Sequence, residues 1–289
     1  MVTNHKWSYL SDPPVQGAPF DIILDEDKCI GCGICVKQCP AQTIEMVYRE
    51  PSVHQEPACQ HQCPAGVDVR RYLHLISTGG GFEDAWKIIT ETNPLPAITG
   101  RVCPHPCESS CNRNEIDDSV GINDIERFIG DYGIEKKMRF RRNLPPSGNK
   151  VAVIGSGPSG LSCAYHLSIG GHSVVIFESR PKPGGMLRYA IPAYRLPKSV
   201  LDEEIQRIID LGVEIRLNEK IGQTLPLEIL RKNFNAVYVA IGCQKAVKLG
   251  IEGEEDPLVH SGLGFLNNVA QGASQACGKN VMVIGGGNT

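Results

Sequence analysis

VAVIGSGPSG, residues 151–160, decides the fold. A short apolar run meets Gly155-x-Gly157-x-x-Gly160 and continues into LSCAYHLSIGG (161–171), whose apolar residues recur at helical spacing. Gly155 permits a tight turn, Gly157 lets the backbone meet a pyrophosphate, and Gly160 lets the helix close on the strand. Pro158 and Ser159 open that helix, so they are counted with the glycines as cofactor contacts. The next apolar run, HSVVIFE (172–178), ends in Glu178, eighteen residues past Gly160, where a carboxylate accepts from a ribose hydroxyl. The glycines alone are weak evidence. Strand, glycines, helix, strand and terminal Glu in that order predict an open parallel sheet that binds a dinucleotide, either FAD or NAD(P).

Upstream, RRNLPPSGN (141–149) reads as a linker, because Pro and Gly break both periodicities. Before it, VDVRRYLHLIS, FEDAWKIITE and INDIERFIGDYGIEKK show the spacing of amphipathic helices. Downstream, KNVMVIGGGNT (279–289) reads as a buried strand entering a second Gly-rich turn. The helix that would follow such a turn is not in the sequence, so a truncated NAD(P)-binding domain is expected there.

Twelve cysteines stand out in 289 residues, nine of them between Cys29 and Cys111. The N-terminus has no basic and apolar leader, so no signal peptide is expected, and thiolate metal ligation is favoured over disulfides. Cys29, Cys32, Cys35 and Cys39 form C-x2-C-x2-C-x3-C-P, the bacterial ferredoxin run. A zinc knuckle would want two separated Cys pairs. Cys39 either completes its own cluster or reaches another. Cys59, Cys63, Cys103, Cys107 and Cys111 form a second group, against a competing reading as buried free thiols. Cys103-x3-Cys107-x3-Cys111 would place three thiolates on one helical face, with Pro104 and Pro106 making its start a loop. Cys163, Cys243 and Cys277 have no spacing partners, and Cys163 is expected as a small core residue.

ACQHQCPAGVDVRRYL, NPLPAITGRVCPHPCESSCNR and VGINDIERF together resemble the N-terminal cluster domain of the glutamate synthase small subunit and dihydropyrimidine dehydrogenase family, over about residues 55–289. The resemblance implies 4Fe–4S clusters, FAD and, in the complete chain, NAD(P)H. Carried over, Cys63, Cys103, Cys107 and Glu126 match one cluster's ligands, while Cys59 and Cys111 match half of another whose leading C-x2-C is absent. Glu126 competes with a plain solvated carboxylate. Nine cysteines and Glu126 make ten donors, which favours two clusters, with a third as the alternative. SRPKPGGMLRYAIPAYRLPK (179–198) resembles the family's second flavin contact, implying roles for Ser179, Arg180, Gly185, Met186, Leu187 and Arg195, and AVYVAIGCQ adds Gly242.

The expected fold class is multidomain α/β: a ferredoxin-like 4Fe–4S segment (1–50), a helical 4Fe–4S domain (51–145), a Rossmann-like FAD domain (146–278) and the start of an NAD(P) domain (279–289). No residue is expected as a general acid or nucleophile. The expected activity is that of an FAD- and iron–sulfur-dependent NAD(P)H oxidoreductase subunit. It would pass electrons among NAD(P)H, FAD and clusters in a larger, electron-transferring or bifurcating complex. The rivals are a glutamate synthase small subunit with an amidotransferase partner and a non-enzymatic relay. Partners would be other redox subunits or a ferredoxin, for which KKMRFRR (136–142) is a candidate dock beside a plainer reading as a solvated helix end. A net charge of −3 and 6% aromatics argue against nucleic acid, and no run of 18 apolar residues argues for membrane insertion. A cytoplasmic location is expected.

Overall fold

The structure, a computed structural model, describes residues 57–273 and 277–287. The ferredoxin run Cys29–Cys39 lies outside the described residues. Among the described residues six α-helices come first: α1 (Ala58–His61), α2 (Val69–Ser77), α3 (Phe82–Thr90), α4 (Pro96–Val102), α5 (Pro106–Ser109) and α6 (Ile122–Glu135). Asp68 starts α2 by accepting from the Arg71 backbone N–H at 3.1 Å, and Pro96 opens α4 at its first turn, where no N–H is needed. Their apolar faces meet in a core of Val67, Tyr72, Trp86, Ile89, Ile122 and Ile129. Helices α4 and α6 cross closely: a Cβ on Gly100 would lie 2.5 Å from Arg127 Cα, and one on Gly130 would lie 2.5 Å from Ala97 Cα.

The second half is β1 (Lys150–Ile154), α7 (Pro158–Ile169), β2 (Ser173–Phe177), α8 (Met186–Tyr189), α9 (Lys198–Ile209), β3 (Glu214–Arg216), α10 (Leu227–Asn233), β4 (Ala236–Val239) and α11 (Gly262–Ala270). The strands form a parallel sheet in the order β3-β2-β1-β4, with Val151 opposite Val174 and Ala236. This is the open parallel sheet that the Gly-rich turn predicts. β1 and β2 are buried on both faces beyond their first residue, as parallel strands covered by helices must be.

The two halves share one core. Leu95 and Ile98 of the helical half pack with Val153, Leu161, Ile176, Leu201 and Ile205. Tyr165 of α7 donates to the Thr90 carbonyl at 2.6 Å, and Phe140 stacks on Trp86 while meeting Tyr165 edge-on. At the seam Glu204 and Arg207 of α9 form a fully buried ion pair, and Glu204 Oε1 accepts from Ala97 N–H at 2.9 Å. Cys163 is half-buried against the shared core, as expected of a small apolar residue.

Two expectations need correction. Cys103, Cys107 and Cys111 do not share a helical face: Cys103 ends α4 in extended conformation, Cys107 lies in the one-turn α5, and Cys111 is extended again. Pro104 and Pro106 break the helix, and His105 between them adopts a left-handed φ of 41°. Residues 279–287 form no strand, and Met282 is 86% exposed. A buried parallel strand needs partners on its edges and helices on its faces, and none of the described residues supplies them here. The basic run is partly spent internally: Arg139 pairs with Asp210 at 2.8 Å, and Arg142 donates twice to the Leu211 carbonyl at the end of α9.

Candidate functional site: thiol groups beside a dinucleotide cradle

The broken helix distributes the thiols. Cys103 leaves the end of α4 beside Glu126 on α6, because the Gly100 and Gly130 contacts bring those helices together. The Cys103 thiol is pushed up chiefly by burial, then by the charges of Glu126 and Cys63, while the His105 N–H, 3.3 Å from the Cys103 sulfur, opposes this. Cys107 is pushed up to about 12 by burial, with Glu126 and Cys63 adding to it. Cys103 and Cys107 thus feel the same neighbours, Glu126, Cys63 and Glu108. Cys59 is raised mainly by burial, with smaller pushes from Cys111 and Asp68. Burial raises Glu126 to about 7, opposed by a hydrogen bond from Tyr72.

All the described cysteines are free thiols. Among the described residues no three His, Cys, Asp or Glu side chains close tightly enough to cage a single ion. A 4Fe–4S cluster presents four irons, each taking its own ligand, so its donors stand farther apart than those of a mononuclear site. Soft sulfur donors with backbone N–H groups aimed at them suit such a cluster. Protons that burial holds on these thiols would be displaced by iron.

The dinucleotide cradle is built from two loops. Gly155 has φ 104°, and a Cβ on Gly160 would run into the Gly155 carbonyl oxygen, so the turn and the helix packing both exclude a side chain. Gly157 faces open space and caps α7 with no side-chain acceptor, leaving N–H groups of a 12-residue helix available to a phosphate. Pro158 and Ser159 are exposed in that first turn, with Ser159 Oγ 3.0 Å from Tyr238 Oη. The second loop packs onto the first: Gly185 has φ 51°, and its absent Cβ would sit 2.8 Å from Gly157 Cα. Met186 and Leu187 open α8, with Leu187 in the core.

Glu178 is buried at the end of β2 and accepts from Ser156 N–H (3.0 Å), Ser156 Oγ, Ser179 Oγ (3.2 Å) and Arg180 N–H (2.9 Å). Ser156 is the residue the motif did not mark. Its hydroxyl also accepts from Gly184 N–H at 3.1 Å, so it ties the first loop, the β2 end and the second loop together. The Arg180 guanidinium lies over the Tyr189 ring and donates to Asn267 at 3.1 Å. Gly242 adopts φ 65° in an exposed stretch beyond β4. Arg195 is exposed and lines a groove of about 420 Å³ with Tyr194, with Arg101 of α4 and with Asp124 and Arg127 of α6. Arg101 is held there by a bidentate pair with Asp131.

Comparison with known proteins follows the same division. Residues 22–45 match the 4Fe-4S binding domain family, 53–138 the dihydropyrimidine dehydrogenase domain II 4Fe-4S cluster family, and 149–289 the pyridine nucleotide-disulphide oxidoreductase family. The chain is 38% identical over 237 residues to the NADPH-Fe(3+) oxidoreductase subunit beta of Geobacter sulfurreducens, covering 80% of this chain and 35% of that protein. It is 36% identical over 255 residues to the NADP(+)-dependent formate dehydrogenase subunit beta of Moorella thermoacetica, covering 80% and 36%. The small chain of Escherichia coli glutamate synthase [NADPH] is 33% identical over 277 residues, covering 91% and 54%. The chain thus spans about a third to a half of the length of these relatives.

Proposed function

Because the chain belongs to the iron–sulfur flavoprotein family that joins a dihydropyrimidine dehydrogenase-type 4Fe–4S domain to a pyridine nucleotide-disulphide oxidoreductase fold, we propose that it is the cluster- and flavin-binding part of an electron-transfer subunit working with NAD(P)H. The observation that carries this reading is the convergence of Cys63, Cys103, Cys107 and Glu126 in a helical domain that shares its core with the dinucleotide fold. Bound FAD and 4Fe–4S clusters would supply the exchange between electron pairs and single electrons.

The protein's own residues hold and orient. Gly155, Gly157, Pro158, Ser159 and Gly160 present the α7 N-terminus to the pyrophosphate, and Glu178 with Ser179 and Arg180 faces the adenosine end. Gly185, Met186, Leu187, Arg195 and Gly242 would contact the flavin end of the cofactor. Cys63, Cys103, Cys107 and Glu126 would hold one cluster, Cys29, Cys32, Cys35 and Cys39 another, and Cys59 with Cys111 would supply half of a third set. Other redox subunits or a ferredoxin would exchange electrons with the clusters, in keeping with relatives whose names describe them as subunits. No described helix is long and apolar enough to cross a membrane.

The test is anaerobic addition of NADPH or NADH to the complete protein. Bleaching of flavin absorbance followed by a cluster signal in electron paramagnetic resonance is expected. Bound FAD that neither nucleotide reduces would overturn the reading.

A further inference from the structure

Tyr72 lies on α2 and is fully buried among Trp86, Ile122 and Ile129, with Cys107 in the same core and Cys59 and Cys63 at its margin. Its hydroxyl donates to Glu126 Oε1 of α6 at 3.3 Å. Among the described residues this is the one hydrogen bond to that carboxylate, and Oε2 receives none.

We propose that Tyr72 is a positioning residue for a 4Fe–4S cluster: it clamps Oε1 of Glu126 so that Oε2 is presented to iron, and it tunes the reduction potential of that cluster. The proposal rests on the reading that Glu126 is a cluster ligand. A glutamate has a long, rotatable side chain, and fixing it costs conformational entropy that a pre-formed hydrogen bond offsets before iron arrives. Outer-shell hydrogen bonds orient ligating carboxylates. Such a bond also draws negative charge off the ligand, which favours the reduced, more negative cluster. The sequence has no motif for this contact, because Tyr72 and Glu126 are 54 positions apart.

The experiment uses the full chain, purified anaerobically, with Tyr72→Phe. The ring still fills the core, while Glu126 Oε1 loses its donor. Expected are unchanged FAD content, loss of iron to a chelator roughly ten- to a hundredfold faster, and a lower midpoint potential for one cluster. A tenfold change in the one-electron equilibrium corresponds to about 59 mV. Wild-type iron retention and potential in Tyr72→Phe would overturn the proposal. A second variant, 3-fluorotyrosine at position 72, keeps the ring and makes the hydroxyl a stronger donor. Its potential should shift upward, and no shift would also overturn the proposal. Glu126→Ala separates the two readings. If it leaves iron content and the resonance spectrum unchanged, Glu126 is no ligand and the underlying reading fails. If Glu126→Ala alters the cluster while Tyr72→Phe does not, the clamp alone is wrong.

Discussion

At the end of β2 the Glu178 carboxylate already accepts from four protein donors, two of them from Ser156. The side chain that should receive a ribose therefore also shapes the loop that should receive the pyrophosphate. A carboxylate offers about four lone-pair sites, so a ribose hydroxyl must displace a hydroxyl that can rotate away, Ser156 Oγ or Ser179 Oγ, rather than a backbone N–H. Glu178→Ala removes both the acceptor and the tie to Ser156. It should weaken FAD binding by ~1.5–3 kcal/mol, roughly ten- to a hundredfold. The measurement is flavin retained on dilution, beside iron content, which should not change. Flavin retention equal to wild type would count against the placement of the adenosine.

The α4–α6 crossing works at the scale of whole elements. Gly130 lies so close to the Ala97 backbone that a methyl group there forces the helices apart. Overpacking of this kind costs roughly 1–3 kcal/mol, and here it also separates Cys103 from Glu126. Gly130→Ala should therefore lower iron and sulfide by one cluster while FAD stays bound; full iron content would show that the crossing does not set the ligand geometry. Helix α9 contributes a pH dependence. Glu204 is fully buried, and desolvation raises it from 4.5 to about 7, against the pull of Arg207 and the Ala97 N–H. In this window the native state binds more protons than the unfolded chain, so stability falls as pH rises. The contribution is fully present below about 4.5 and is lost as pH climbs through about 7. Urea midpoints at pH 5, 6 and 7.5 should decline, and Glu204→Gln should flatten that decline. An identical slope in the variant would assign the titration to another group.

Across the whole molecule, cofactor stoichiometry is the quantity that discriminates. The two proposed ligand sets, Cys29–Cys39 and Cys63/Cys103/Cys107/Glu126, predict about eight iron and eight labile sulfide per chain. About twelve of each would mean that Cys59 and Cys111 recruit two further donors, and zinc with little sulfide would defeat the cluster reading. The order of flow can be tested as well. Cys63, Cys103 and Cys107 belong to the domain that shares a core with the dinucleotide fold, and we propose the Cys29–Cys39 run as the exchange point with an outside partner. Cys32→Ala in the complete protein should abolish reduction of an external acceptor while flavin reduction by nicotinamide persists. Stopped-flow absorbance beside steady-state acceptor reduction measures both, and joint loss with FAD still bound would reverse the proposed order.

What the residue order determined by itself is local. Gly155, Gly157 and Gly160 followed at fixed spacing by Glu178 dictate strand, turn, helix and strand, because each step depends on backbone conformations that neighbouring residues set. The periodic runs at 69–77, 82–90 and 122–135 became helices for the same reason. Cysteine spacing likewise marked a cluster domain before any contact was known. Tertiary structure alone decided which donors meet. Cys103 comes beside Glu126 because α4 and α6 cross at two glycines, a contact between segments some thirty residues apart. Ser156, Tyr72 and the Glu204–Arg207 pair carry no motif, since their partners arrive from other elements and only burial makes a hydroxyl or a charge seek them. The same dependence corrects the 279–287 segment. An apolar run prefers a buried strand, but hydrogen-bonded neighbours must be present to make it one, and among the described residues none is.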